Sequence, residues 1–230
     1  KIEGPLPLDL GFAGFRLHYP LNNPRILDEV IAFLGASYFR FLGRDQRYGV
    51  LPLYFSRVLT RSDYALARLG GLFLAVFLVS VVPQVVLTVG GVLAASDPLT
   101  GLAEEAPDIP RYLAVTLLAS ALFAAVAGAM AAWTPRRAYA TAAIIAAFII
   151  PSVVAILVAE LAVGDLARVV VLVSPGDLVD GVNAAIFGTI PDSPAVAAAG
   201  LPGWVPIVAS AVGTVGLLVV IVRRYLGISE

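Results

Sequence analysis

Three stretches of this chain carry residue types that could do chemistry. The first is Arg57 to Arg68, where Arg57, Arg61 and Arg68 face Asp63 as the single acid. Thr60 and Asp63 have the T-x-x-D spacing of a capping box, in which a hydroxyl and a carboxylate close off the exposed N–H groups of a helix start. The segment predicts a short basic helix that takes in Arg57, Thr60, Arg61, Ser62, Asp63 and Tyr64. The alternative is an ordinary positive flank of a membrane helix. The second stretch is Ser174, Pro175 and Asp177, which offer a cap, a proline suited to a first helical position and a carboxylate near the positive helix end. Leu178, Val182 and Ile186 follow at four-residue spacing, opposite Asp180 and Asn183. Such a helix lies in the interface or dips back into protein, and is too short to span. The third set comprises isolated polar groups in apolar runs. Gln84 faces a pathway, glues helices or satisfies backbone freed by Pro83; Glu160 is wetted at a helix end or handles substrate or protons.

Composition says what must position these groups. The 230 residues are 60% hydrophobic and 13% charged, with a mean hydropathy of +0.93. Soluble domains run at about 45–50% apolar and about 25% charged, so a membrane protein is implied. A net charge of −1 gives no field for nucleic acid. Without cysteine, and with His18 as the one histidine, thiolate and two-histidine metal sites are excluded. His18 beside Arg16 and Tyr19 reads as packing or a satisfied hydrogen bond before it reads as a site. The first residue is Lys1, which leads to the expectation of a fragment or processed product without a signal peptide.

The expected fold is an all-α membrane protein with four spans, at residues 69–95, 113–133, 138–162 and 204–222. A juxtamembrane helix over 50–68 precedes them, and an outer re-entrant or interfacial helix lies before the last. Residues 1–49 are expected to be poorly structured or short β/α elements, not an independent domain. Ser120, Ala124, Gly128 and Ala132 recur every fourth residue, a smooth ridge for close helix approach. Arginines flank the first span, join the second to the third as Arg136 and Arg137, and follow the fourth as Arg223 and Arg224. The other two loops are acidic. By the positive-inside rule both ends of the hydrophobic part are cytoplasmic and the acidic loops outside.

Two resemblances follow from particular runs. Asp9-Leu-Gly-Phe-Ala-Gly-Phe-Arg-Leu-His-Tyr-Pro-Leu-Asn, continued from Asp28 to Arg40, resembles the periplasmic glucan biosynthesis (MdoG) family. That family's large β-sandwich and glucan-handling cleft need several hundred residues, so this piece is not expected to fold or act as it does there. Arg47-Tyr-Gly-Val-Leu-Pro-Leu-Tyr-Phe-Ser-Arg-Val-Leu-Thr-Arg-Ser-Asp-Tyr-Ala-Leu-Ala-Arg resembles the cytoplasmic loop of ABC-2 type export permeases, and the likeness continues through the spans. It implies a membrane subunit in the cytoplasmic membrane that moves substrate outward. The implied partners are a separate ATP-binding subunit docked around Thr60–Arg68, a second permease copy or homologue, and the lipid bilayer. No cofactor is expected on this chain, because it has no G-x-x-x-x-G-K-[ST] phosphate loop and ATP would be held by the partner. The permease pattern lacks its first two spans, so the chain reads as a join of two pieces near Gln46–Gly49. Two further readings stand beside export: a periplasmic glucan-binding or glucan-processing fragment with a membrane anchor, and a membrane scaffold without transport.

Overall fold

A computed structural model describes residues 61–95, 97–134, 137–161 and 164–226. Their elements are helical throughout: α1 Arg61–Ala94, α2 Pro98–Glu105, α3 Ile109–Trp133, α4 Arg137–Glu160, α5 Gly164–Val173, α6 Pro175–Phe187, α7 Pro194–Ala199 and α8 Trp204–Leu226. Among them α1, α3, α4 and α8 are long and apolar enough to cross a membrane. The chain is a multi-pass membrane protein, with each span's backbone bonded within its own helix, as a lipid solvent requires.

α3 is the centre of the bundle. Within its most apolar stretch 67% of residues are buried, against 22% for α1, 22% for α4 and 17% for α8. Its ridge of small residues does what the four-residue spacing implies. Ser120, Ala124 and Gly128 are all buried, and α1 and α8 close onto α3 there. A side chain at Gly128 would collide with Leu69 of α1 and lie 3.4 Å from Ile221 of α8. Phe123 stacks edge-on against Phe148 of α4, with ring centroids 5.0 Å apart.

That meeting of Leu69, Gly128 and Ile221 also fixes which helix ends lie together. The start of α1 and the ends of α3 and α8 share one face of the bundle, so Arg68, Arg223 and Arg224 gather there. α2, α5, α6 and α7, with Glu104, Glu105, Asp165, Asp177 and Asp180, lie at the other face. The segregation of charge seen along the sequence is therefore a segregation in space.

The boundaries differ from expectation in one instructive place. Residues 61–68 are the first two turns of α1 and run without a break into the span, instead of forming a separate helix on the membrane surface. Nothing between Arg61 and Leu69 breaks a helix, and entry into lipid favours unbroken intrahelical bonds. At 34 residues α1 is about 51 Å long, well beyond the ~30 Å hydrocarbon layer, so its first turns project past it. Pro83 is accommodated inside α1 and Pro151 inside α4.

One packing contrast is testable. A Cβ at Gly181 of α6 would lie 2.8 Å from Pro206 Cγ and 3.0 Å from its Cβ, a rigid ring, whereas at Gly128 the obstacle is the end of a leucine. Gly181→Ala is therefore expected to cost about 1–3 kcal/mol by overpacking, and Gly128→Ala less. Thermal unfolding of the two variants in one detergent checks the order.

A buried carboxylate clasp at the bent helix pair

α5 and α6 meet at an angle of 101°. Their lengths, about 15 and 20 Å, are each short of a bilayer core, so neither helix crosses by itself and the sharp bend gives the pair a re-entrant-like shape. Ser174 is the corner. It caps α6, its Oγ accepting from the Asp177 backbone N–H at 3.4 Å, and Pro175 takes the first helical position. Ser152 of α4 lies 2.9 Å from Ser174 Oγ and also donates to the Phe148 carbonyl, tying the corner to the third span.

The first two turns of α6 are buried on every side. Asp177, Asp180 and Asn183 are only 6%, 6% and 7% exposed. The polar face read from the sequence is thus turned into protein, not toward headgroups; of the two placements left open, the helix dips back into the bundle. The carboxylates tolerate this because the loop after α6 brings donors to them. Asp180 accepts from the backbone N–H groups of Asp192 at 3.2 Å and Ser193 at 3.0 Å. Asp177 Oδ1 accepts from Ser193 Oγ at 2.7 Å, and its position in the first turn adds the favourable end of the helix dipole. Gly188, at φ 67°, makes the left-handed turn that sends the chain back toward these acceptors. On the far side, Arg168 of α5 donates from Nε to the Ala199 carbonyl at 3.2 Å, closing α5 onto α7.

The remaining candidate residues are not gathered here. Arg57 and Thr60 lie outside the described residues; Arg61, Ser62 and Tyr64 lie in the first turn of α1, and Asp63 beside them is exposed. Gln84 is buried in α1. Glu160 is exposed at the last position of α4, and Gly128 sits at the helix crossing described above. Ser152 and Ser193, which complete the cluster, were missed by sequence reasoning. Ser193 had a usable signal: Ser193-Pro194 repeats the cap-plus-proline pattern of Ser174-Pro175.

The same pattern opens α2, where Asp97 precedes Pro98. Asp97 accepts from Thr100 Oγ1 at 2.9 Å and from the Leu99 N–H at 3.2 Å. The Thr100 hydroxyl, then the Leu99 N–H, hold its carboxyl below the usual carboxylate range. A lowered folded-state pKa means the contribution is full above the ordinary value and lost as pH falls through the lowered one. A carbon-detected titration of Asp97 is expected to show that depressed midpoint, rising toward normal in Thr100→Ala.

The architecture is that of a polytopic helical membrane protein with a bent helix pair, and the helices alone name no family. Comparison with known proteins reaches a different part of the chain. Residues 1–52 match the family described as "Periplasmic glucan biosynthesis protein, MdoG". Similar curated proteins include "Glucans biosynthesis protein G" of Ralstonia nicotianae, 60% identical over 53 residues, covering 20% of this chain and 10% of that protein. The protein of the same name from Cereibacter sphaeroides is 65% identical over 40 residues, 17% of this chain and 7% of that protein. The chain thus spans a tenth or less of the length of these relatives, and the match lies outside the described residues. No solved structure matches the chain significantly.

Proposed function

We propose that residues 44–230 form a membrane-embedded transport subunit of the ABC-export type, with both ends of its hydrophobic part in the cytoplasm. The observation that supports it is the bent pair. A four-span bundle keeps two buried carboxylates on a helix that enters the membrane without crossing, and such groups in lipid are costly and commonly functional. The exporter-specific part, an ATP-hydrolysing partner docked near Arg57–Tyr64 and a second permease copy, rests on the sequence resemblance alone. Movement of the partner on ATP binding would pass directly into the span, because α1 carries residues 61–68 and the membrane segment as one rod. A tagged copy is expected to co-purify with an ATP-binding subunit, and Arg57→Glu with Arg61→Glu to weaken that association. Undiminished association after the reversal counts against this reading.

A second reading is favoured by the comparisons: a glucan-related protein anchored in the membrane by the helical body. The glucan biosynthesis proteins match residues 1–52, and that likeness supports glucan binding or processing by the N-terminal part. The readings part on topology. Under the second, residues 1–52 face the periplasm and are cut by protease added to spheroplasts; under export they are protected.

A further inference from the structure

A lateral cleft of about 340 Å³ lies between α1 and α3 beneath α2, lined by Gln84, Thr88, Val89, Leu102, Tyr112 and Thr116 among others. It is not connected with the clasp. Its α1 wall runs from Val81 to Leu93, about 18 Å of helix rise, a little more than the ~15 Å depth of one hydrocarbon leaflet. The mouth lies on the face where Val85, Val89 and Leu93 are 53%, 51% and 71% exposed, so the cleft opens to lipid. A single alkyl chain has the right girth and length.

The cleft is not wholly apolar. Gln84 is 6% exposed, and its carboxamide oxygen is buried without a hydrogen-bond partner among the described residues. A buried amide left unmatched in hydrocarbon is costly, and a plain alkyl chain beside it changes nothing. A hydroxyl can both donate to the amide oxygen and accept from its nitrogen. The broad, two-fold terminal torsion of glutamine lets either atom face the cleft. Gln84 lies about 13 Å by helix rise from the Leu93 end of the wall, where α1 finishes and α2 begins, so on a chain whose head sits at that end the hydroxyl belongs well along the chain and not at the head.

We propose that this cleft binds one alkyl chain bearing a mid-chain hydroxyl, with the hydroxyl paired to the Gln84 carboxamide. The test uses the purified full chain and an equimolar mixture of ricinoleate and oleate, which differ by that hydroxyl, read by native mass spectrometry. Wild type is expected to retain ricinoleate over oleate by about ten-fold. Gln84→Leu is expected to retain both chains equally. Val89→Phe, which fills the cleft, should lower retention of both. A wild-type ratio near one overturns the proposal. So does a preference that survives Gln84→Leu, or retention that ignores Val89→Phe. Since wild type alone gives the first result, a variant that fails to fold does not shield the proposal.

Discussion

Asp180→Ala is expected to destabilise the bundle by about 3 kcal/mol and to open the segment from Gly188 to Ser193 to protease. Asp180 holds two backbone N–H groups, those of Asp192 and Ser193, from a position almost entirely sealed from water. A hydrogen bond to a charged acceptor contributes about 1.5–3 kcal/mol, and each donor stranded by its loss carries its own penalty. Relaxation of the loop toward solvent recovers part of this, which keeps the figure near the low end of the sum. Asp180→Asn keeps one carbonyl acceptor and is expected to fall about midway. Ser193→Ala, which removes only the hydroxyl bond to Asp177, should be milder, about 1 kcal/mol. Thermal unfolding and limited proteolysis in one detergent give the ranking. Wild-type stability and protection in Asp180→Ala would mean that the carboxylate is not what folds the loop back.

Phe123→Ala tests the other half of the structure, the packing around α3. Phe123 is 1% exposed and meets Phe148 of α4 edge-to-face. In a soluble core such a truncation costs about 3–5 kcal/mol, part of it the lost transfer of a ring out of water. Lipid tails are as apolar as the protein interior, so here that part is absent and the cavity and lost contacts remain. The expected cost is therefore about 2–3 kcal/mol, and Phe123→Leu should restore much of it. Equal, negligible effects from both variants would indicate that α3 and α4 are held by something other than this contact.

The parts of the fold that were legible in the sequence are those with a strong, repeated physical signal. Four long apolar runs read as spans, and α1, α3, α4 and α8 are helices long and apolar enough to cross. The small-residue ridge of α3 was legible because the spacing from Ser120 to Gly128 has no competing explanation. The Ser174-Pro175 corner was legible because capping chemistry is local. What escaped was long-range or unweighted. Ser193 comes to Asp177 from sixteen residues away and Ser152 to Ser174 from twenty-two, and no periodicity marks such pairs. Asp180 and Asn183 left the placement of α6 open between interface and protein, because polarity along a helix does not say what covers it. α2 and α7 carry the same cap-and-proline start as α6 and were passed over in loops that read simply as acidic. Of the basic helix expected over 50–68, the described part, residues 61–68, is helical and leads straight into the first span, because charge marks a membrane boundary without marking a break.

The central claim is that an even number of spans separates a basic face from a face holding α2 and the bent pair. Because the chain has no cysteine, single substitutions report cleanly. Leu99 on α2 and Ile190 after α6 are 76% and 81% exposed, and Arg136 falls in the sequence between α3 and α4. In intact cells a membrane-impermeant maleimide is expected to label Leu99→Cys and Ile190→Cys, and to reach Arg136→Cys only after the membrane is opened. Labelling of Arg136→Cys from the same side as Leu99→Cys would contradict it.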